Sequence, residues 1–260
     1  MINKFKCCIK SLLPQPLFNV ILSLKYFFKK VPHLDVYLRH LSGGEGIEIG
    51  GASELFKTLL PLYKNIEKLD GVNFSYNTVW EGELRAGLNY NFFGNKRGVQ
   101  FIFEATDLHQ IKDKSYDFLL SSNCLEHIAN PILALMEWKR VLKDGGSLVL
   151  ALPNKKSNFD HKRPITSFNH IIDDYKNKVT EYDLTHLDEI LKLHDLSLDP
   201  AAGSFETFRS RSLENYSNRT LHHHVFDMDL MKSLLEYCGF DTVQNNEIKT
   251  DFIVLAIKRR

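Results

Sequence analysis

Charge of one sign, regularly spaced cysteines and long apolar runs are all scarce in this 260-residue chain, and each scarcity removes a class of function. Lys and Arg number 33 against 32 Asp and Glu, a formal net charge of +1, so no global field draws the chain to nucleic acid and no nucleic-acid partner is expected. The four cysteines are the adjacent Cys7 and Cys8, then Cys124 and Cys238, without a CxxC pair. That pattern excludes a disulfide framework and a cysteine-type zinc site, and it suits a reducing cytoplasm. The apolar stretch Leu17 to Leu24 stops at Lys25, short of the ~20 residues a spanning helix needs. Lys10, Pro14 and Pro16 interrupt the apolar core of any signal peptide, so neither a leader nor a membrane span is expected.

The remaining composition, 43% hydrophobic and 25% charged, is that of an ordinary globular protein whose length fits one large domain with additions. Residues 1–42 form a basic arm, with Lys4, Lys6, Lys10, Lys25, Lys29, Lys30 and Arg39 against Asp35 alone. Phe18, Val20, Ile21, Leu24, Tyr26, Phe27 and Phe28 predict an amphipathic helix there, which either packs over a substrate cleft or makes weak peripheral contact with an anionic membrane surface. Residues 43–260 read as one domain, with a polar, histidine-rich insertion over about 153–226. No feature fixes the oligomeric state.

From Gly46 onward short apolar runs alternate with longer helical stretches, the pattern of a doubly wound, mostly parallel α/β sheet. Strands are predicted at Ile47 to Ile49, Ile66 to Leu69 (ending in Asp70), Val99 to Glu104, Tyr116 to Ser121 and Ser147 to Leu152. Helices are predicted at Ser53 to Tyr63, Pro131 to Leu142 and Asp227 to Cys238, and an antiparallel pair, Thr242 to Ile248 with Phe252 to Ile257, closes a seven-stranded sheet. The Asn-, Gly- and aromatic-rich stretch from Asn73 to Gly98 reads as a loop with a short helix.

Function enters at the strand ends. Glu48 lies in the first strand and Gly50 and Gly51 form the turn after it, where a ligand must approach backbone closely. Twenty residues beyond Gly50, Asp70 occupies the position from which a carboxylate can accept hydrogen bonds from a ribose. Glu48 to Ser53 resembles the first motif of class I S-adenosylmethionine-dependent methyltransferases of the type 11 kind, and Asp70 resembles their ribose acid. Ala105 to Leu108 is similar to their adenine-contacting turn, with Asp107 and Leu108 as its contacts. Lys114 to Phe118, Leu125 to Ile128 and Trp138 to Gly146 then follow the family's order, so the likeness covers about residues 45–152. It implies a Rossmann-like fold, S-adenosylmethionine as cofactor and Glu48, Gly50, Gly51, Asp70, Asp107, Leu108 and Asn123 as its binding residues. Ala52 and Ser53 replace the rest of the usual glycine triplet, which argues against a dinucleotide ligand.

Methyl transfer from a sulfonium needs alignment of the partners and removal of a proton from the acceptor, and His127 after the fourth strand suits the base. The spacing of Asn123, Glu126 and His127 is similar to that in ubiquinone-pathway O-methyltransferases, where an acid in the first place lets the group hold a divalent metal. Asn123 brings no charge, and the insertion shows no HExxH or cysteine pair, so no metal is assigned. Asn158 to Pro164 and His222 to Phe226 resemble segments of bacterial methyltransferase-like proteins associated with surface glycans, which implies a sugar, nucleotide-sugar or glycan hydroxyl as acceptor. The alternatives are a quinone-like or small aromatic acceptor, or a binding protein that keeps the fold without turnover.

Overall fold

The computed structural model describes residues 30–260. The amphipathic helix expected over Phe18 to Phe28, and with it the membrane-contact reading, lies outside the described residues. Among those described, no helix is long and apolar enough to cross a membrane. The end of the arm forms α1 (Leu34–Leu41), which buries Tyr37 and Leu41 against one face of the sheet.

Ten strands occur in chain order: β1 (Glu45–Ile49), β2 (Lys68–Asn73), the two-residue ribbon β3 (Asn77–Thr78) and β4 (Gly82–Glu83), β5 (Gly87–Phe93), β6 (Lys96–Ile102), β7 (Tyr116–Ser122), β8 (Leu142–Pro153), β9 (Phe240–Glu247) and β10 (Asp251–Lys258). Eight make one sheet in the order β5-β6-β2-β1-β7-β8-β10-β9. β6, β2, β1, β7 and β8 run parallel; β5, and β10 against β8, run antiparallel. This is the expected Rossmann-like layering with one more strand than expected. The addition, β5, comes from the stretch read as a loop, where Tyr90 and Phe92 turn inward and alternate with the exposed Asn89 and Asn91. The Asn and Gly content of the stretch is a turn signal that outweighed this period of two.

Successive side chains of each central strand leave on opposite faces, and both faces are covered, so the strands read as continuous apolar runs. Ile47, Leu119, Leu148 and Leu150 meet α2 (Pro131–Val141) and α7 (Met228–Tyr237), while Phe118, Leu120, Val149 and Ile253 meet α1. Asn130 and Asp227 cap α2 and α7 by accepting from Leu133 N and Leu230 N. The helix expected from Ser53 to Tyr63 shrinks to a wide turn over Leu55–Leu59 and a 3-10 turn over Tyr63–Asn65. Pro61 is the cause, since the residue before a proline avoids helical geometry and Leu60 has φ −120°, ψ 78°.

In the insertion α3 (Phe168–Lys176) packs Ile171 into the main core, while α4 (Leu187–Leu193) and α5 (Phe205–Leu213), followed by α6 (Asn215–Asn218), build a small core of Ile190, Ala202, Phe208 and Leu221. Arg163, only 1% exposed, ties the insertion's own segments together. Its guanidinium donates to Glu189 Oε1 at 2.9 Å, Asp160 Oδ1 at 3.1 Å and the carbonyl oxygens of His222 and His223 at 2.8 and 3.4 Å.

Candidate functional site

The chain leaves β1 for β2 and β6 on one side and returns to β7 on the other, so strand order reverses between β1 and β7. The crevice outside such a reversal is where open α/β sheets bind ligands. A cleft of about 990 Å³ opens there, lined by residues at the carboxyl ends of β1, β2, β6, β7 and β8 and closed from above by the insertion.

The turn after β1 is shaped by exclusion. Gly50 has φ +77°, and a Cβ on it would stand 2.9 Å from Cys124 Sγ. A Cβ on Gly51 would fall 2.2 Å from Glu48 Cδ. Glu48 itself does not line the cleft; it is fully buried beneath the turn and accepts hydrogen bonds from Tyr63 Oη (2.7 and 2.8 Å), Tyr90 Oη (2.6 Å) and Ser53 N (3.3 Å). It is a strut, with Gly51 clearing its carboxylate.

Burial pushes the Glu48 carboxyl from 4.5 up to about 7, although both tyrosines and Ser53 N favour its anion and Glu81 adds a small opposing push. A raised folded value means that folding takes up a proton, so this contribution to stability is complete below about pH 4.5 and is lost as pH rises through 7. Glu48→Gln removes it. The unfolding free energy of wild type relative to that variant is expected to fall between pH 5 and pH 8 by up to ~3 kcal/mol in urea titrations.

Gly50, Asn123 and His127 line the cleft as expected, Asn123 with φ +51° and its Nδ2 donating to Asp251 Oδ1 at 3.2 Å. Five expected cofactor residues lie off it: Glu48 and Gly51, which build the turn from beneath, and Asp70, Asp107 and Leu108. Asp70 is not at the end of β2 but opposite Ile47 in mid-strand, and its carboxylate is taken by Val99 N and Tyr116 Oη, both at 2.8 Å. Asp107 is exposed and turned to His109, and Leu108 is fully buried in the core. β2 runs three residues further than the charged Asp70 suggested, so the cleft residue at its end is Asn73, whose Nδ2 donates to Gly51 O at 3.1 Å. After β6 it is Glu104, Ala105 and Thr106 that face the cleft, held by Trp138 Nε1 donating to Ala105 O at 2.9 Å. Glu104 is paired with Arg219 at 2.8 Å, and Arg219 lies 5.0 Å over the Phe74 ring.

The other end of the cleft gathers ionisable groups. His127 sits in the 3-10 turn Leu125–His127, with Nδ1 3.1 Å from Leu221 O. A carbonyl only accepts, so Nδ1 carries the proton and Nε2 is left as an acceptor. Burial, aided by His222, holds the imidazole well below 6.5, hence neutral. Trp80 and His222 meet its ring edge-on at 5.1 and 4.5 Å. Both carboxylate oxygens of Glu126 are buried without a hydrogen-bond partner, and burial raises this group to about 7 against the pull of His222. His222 is itself raised: burial lowers it, but Asp160 at 2.5 Å outweighs that. Asn73 and Glu104, which also line the cleft, carry no signal in sequence, whereas Glu126 lies in the Asn123–Glu126–His127 spacing and His222 in the His222 to Phe226 stretch already noted.

Residues 51–150 match the family described as methyltransferase domain. The chain is 28% identical over 124 residues to an uncharacterized protein of Methanocaldococcus jannaschii, a match covering 48% of this chain and 52% of that protein, so the chain spans about half the length of the curated relative it matches. Its fold is similar to that of an S-adenosylmethionine dependent methyltransferase from Mesorhizobium loti, with a TM-score of 0.51 at 12% identity, covering 87% of this chain and 96% of the other. It is similar too to a chain of the Haloferax volcanii complex between the Trm112 methyltransferase activator and a methyltransferase, with a TM-score of 0.50 at 12% identity and 88% of each chain covered.

Proposed function

We propose that the cleft of this chain, whose residues 51–150 match a methyltransferase domain, binds S-adenosylmethionine and O-methylates a hydroxyl of a sugar, nucleotide-sugar or glycan. The observation that carries this is His127 Nε2, a neutral acceptor beside the glycine turn in a cleft whose 990 Å³ stands at the top of the ~300–1,000 Å³ of small-molecule sites, with room for donor and acceptor together. S-adenosylmethionine supplies a methyl group activated on a sulfonium.

The residues present fit that donor. Gly50 keeps the β1 turn open, and Asn73, Glu104 and the backbone of Ala105 and Thr106 would hold its nucleoside. On the acceptor side His127 takes the hydroxyl proton, Glu126 and His222 supply hydrogen bonds, and Trp80 and Phe159 offer ring faces to a sugar. The likeness of Asn158 to Pro164 and His222 to Phe226 to glycan-associated proteins points to the same acceptor class. The near-neutral charge speaks against a nucleic-acid acceptor. The free thiols of Cys124 and Cys238 agree with a cytoplasmic setting.

Methyl-labelled donor offered with hexoses, nucleotide-sugars, lipid-linked glycans, catechols and quinols is expected to label a sugar hydroxyl, located by product mass spectrometry. Label on a catechol or quinol instead rejects the acceptor class, and donor binding without transfer to any acceptor rejects the activity. For the donor, Asn73→Ala is expected to weaken S-adenosylhomocysteine binding about 10-fold in calorimetry, the loss of one good hydrogen bond. Asp70→Ala should leave that affinity unchanged while lowering the melting temperature.

A further inference from the structure

The histidine-rich insertion contains a cluster that methyl transfer leaves unused. His170 and Asp174 lie one turn apart on α3, His186 stands at the entry to α4, and His224 belongs to the extended strap between Leu221 and Phe226. His170 Nε2 is 2.9 Å from His186 Nε2, and Asp174 Oδ2 is 3.3 Å from His170 Nε2 and 3.6 Å from His224 Nε2. One ring nitrogen from each of the three histidines falls within 4.8 Å of the others. Ligand atoms around a tetrahedral zinc at ~2.05 Å stand ~3.3 Å apart, and the three close separations bracket that edge.

These groups satisfy one another only in part. His170 and His186 share a hydrogen bond through their Nε2 atoms, so one of those two nitrogens is the acceptor. Asp174 Oδ2 and His224 Nδ1 are buried without a hydrogen-bond partner, even though two imidazoles lie near that carboxylate oxygen. His224 is 1% exposed, and its Nε2 donates to Ala129 O at 3.2 Å, which leaves the lone pair on the unpartnered Nδ1, while His170 and His186 are half-buried and leave a way in from solvent.

We infer that His170, His186, His224 and Asp174 form a four-ligand site for zinc that ties α3, α4 and the His222–Phe226 strap together. Three imidazoles and one carboxylate suit zinc, whereas magnesium and calcium take oxygen ligands. The strap also carries His222 into the methyl-transfer cleft, so the metal would set the acceptor wall. The set uses neither HExxH nor a cysteine pair, which is why sequence spacing assigned no metal.

Full-length protein stripped with chelator, reloaded with zinc chloride and desalted should keep about one zinc per chain by mass spectrometry and melt higher than the stripped form. His170→Ala and His186→Ala should each weaken zinc binding by more than ~100-fold and abolish the rise in melting temperature, with circular dichroism and S-adenosylhomocysteine binding unchanged. The second cluster of Glu126, His127 and His222 is the contrast, and Glu126→Ala should retain the zinc. Cobalt(II)-loaded wild type should show the strong visible band of four-coordinate cobalt, a readout that needs no variant. Wild type that holds no zinc, zinc kept by both histidine variants, zinc lost only with Glu126, or a six-coordinate cobalt spectrum would each overturn the assignment.

Discussion

Replacing Arg163 with Met is expected to destabilise the protein by ~3–5 kcal/mol, the cost of breaking a buried ion pair from one side. The guanidinium is 1% exposed and serves Asp160, Glu189 and two carbonyl oxygens of the strap at once. Without it Asp160 keeps only His222 as a charged partner in a buried place, and the strap carbonyls lose their donors. Burial would raise the Asp160 carboxyl, but His222 and Arg163 together hold it far below the usual carboxylate range, so the anion is fixed and its partner's loss is not relieved by protonation at neutral pH. Arg163→Lys should recover little, because one ammonium cannot reproduce a planar fork with five donors. Urea unfolding measures the loss, and limited proteolysis should show cleavage concentrated in residues 153–226. A variant as stable as wild type would mean that the insertion is held by its apolar core alone.

His127→Ala is expected to lower the methyl-transfer rate by ~10²–10⁴-fold while S-adenosylhomocysteine affinity stays within about twofold of wild type. The ring lies on the acceptor side, pinned by Leu221 O and flanked by Trp80 and His222, so its loss removes a base without touching Gly50, Asn73 or Ala105. His127→Asn keeps a donor for Leu221 O but offers no comparable base, which separates positioning from proton removal. An Asn variant as slow as Ala identifies the lost base; one as fast as wild type shows that the ring only positions the turn. Single-turnover measurement reads this directly, because it is blind to product release.

The layered α/β architecture was legible because apolar runs and capped helices at Asn130 and Asp227 follow local rules that the packed structure obeys. β5 was not, since the Asn and Gly residues around Tyr90 and Phe92 read as turn formers and outweighed an alternation only a few residues long. The site was half legible. Gly50, Asn123 and His127 stand where a turn and a strand end must present them, and their neighbours in sequence reveal it. Asp70 misled because a charged residue reads as a strand end, whereas Val99 N and Tyr116 Oη satisfy it inside the strand. His222 and Arg219 reach the cleft only through the insertion's return, more than ninety residues from His127 and Glu104, and no local pattern encodes that approach.

Adenosine is expected to lie across the ends of β2 and β6. A crystal structure with S-adenosylhomocysteine tests this most directly. The ribose should meet Asn73, the adenine should lie against Ala105 and Thr106, and the sulfur should point toward His127. Ligand density beside Asp70 or Asp107, or a cleft that stays empty at saturating ligand, would contradict it.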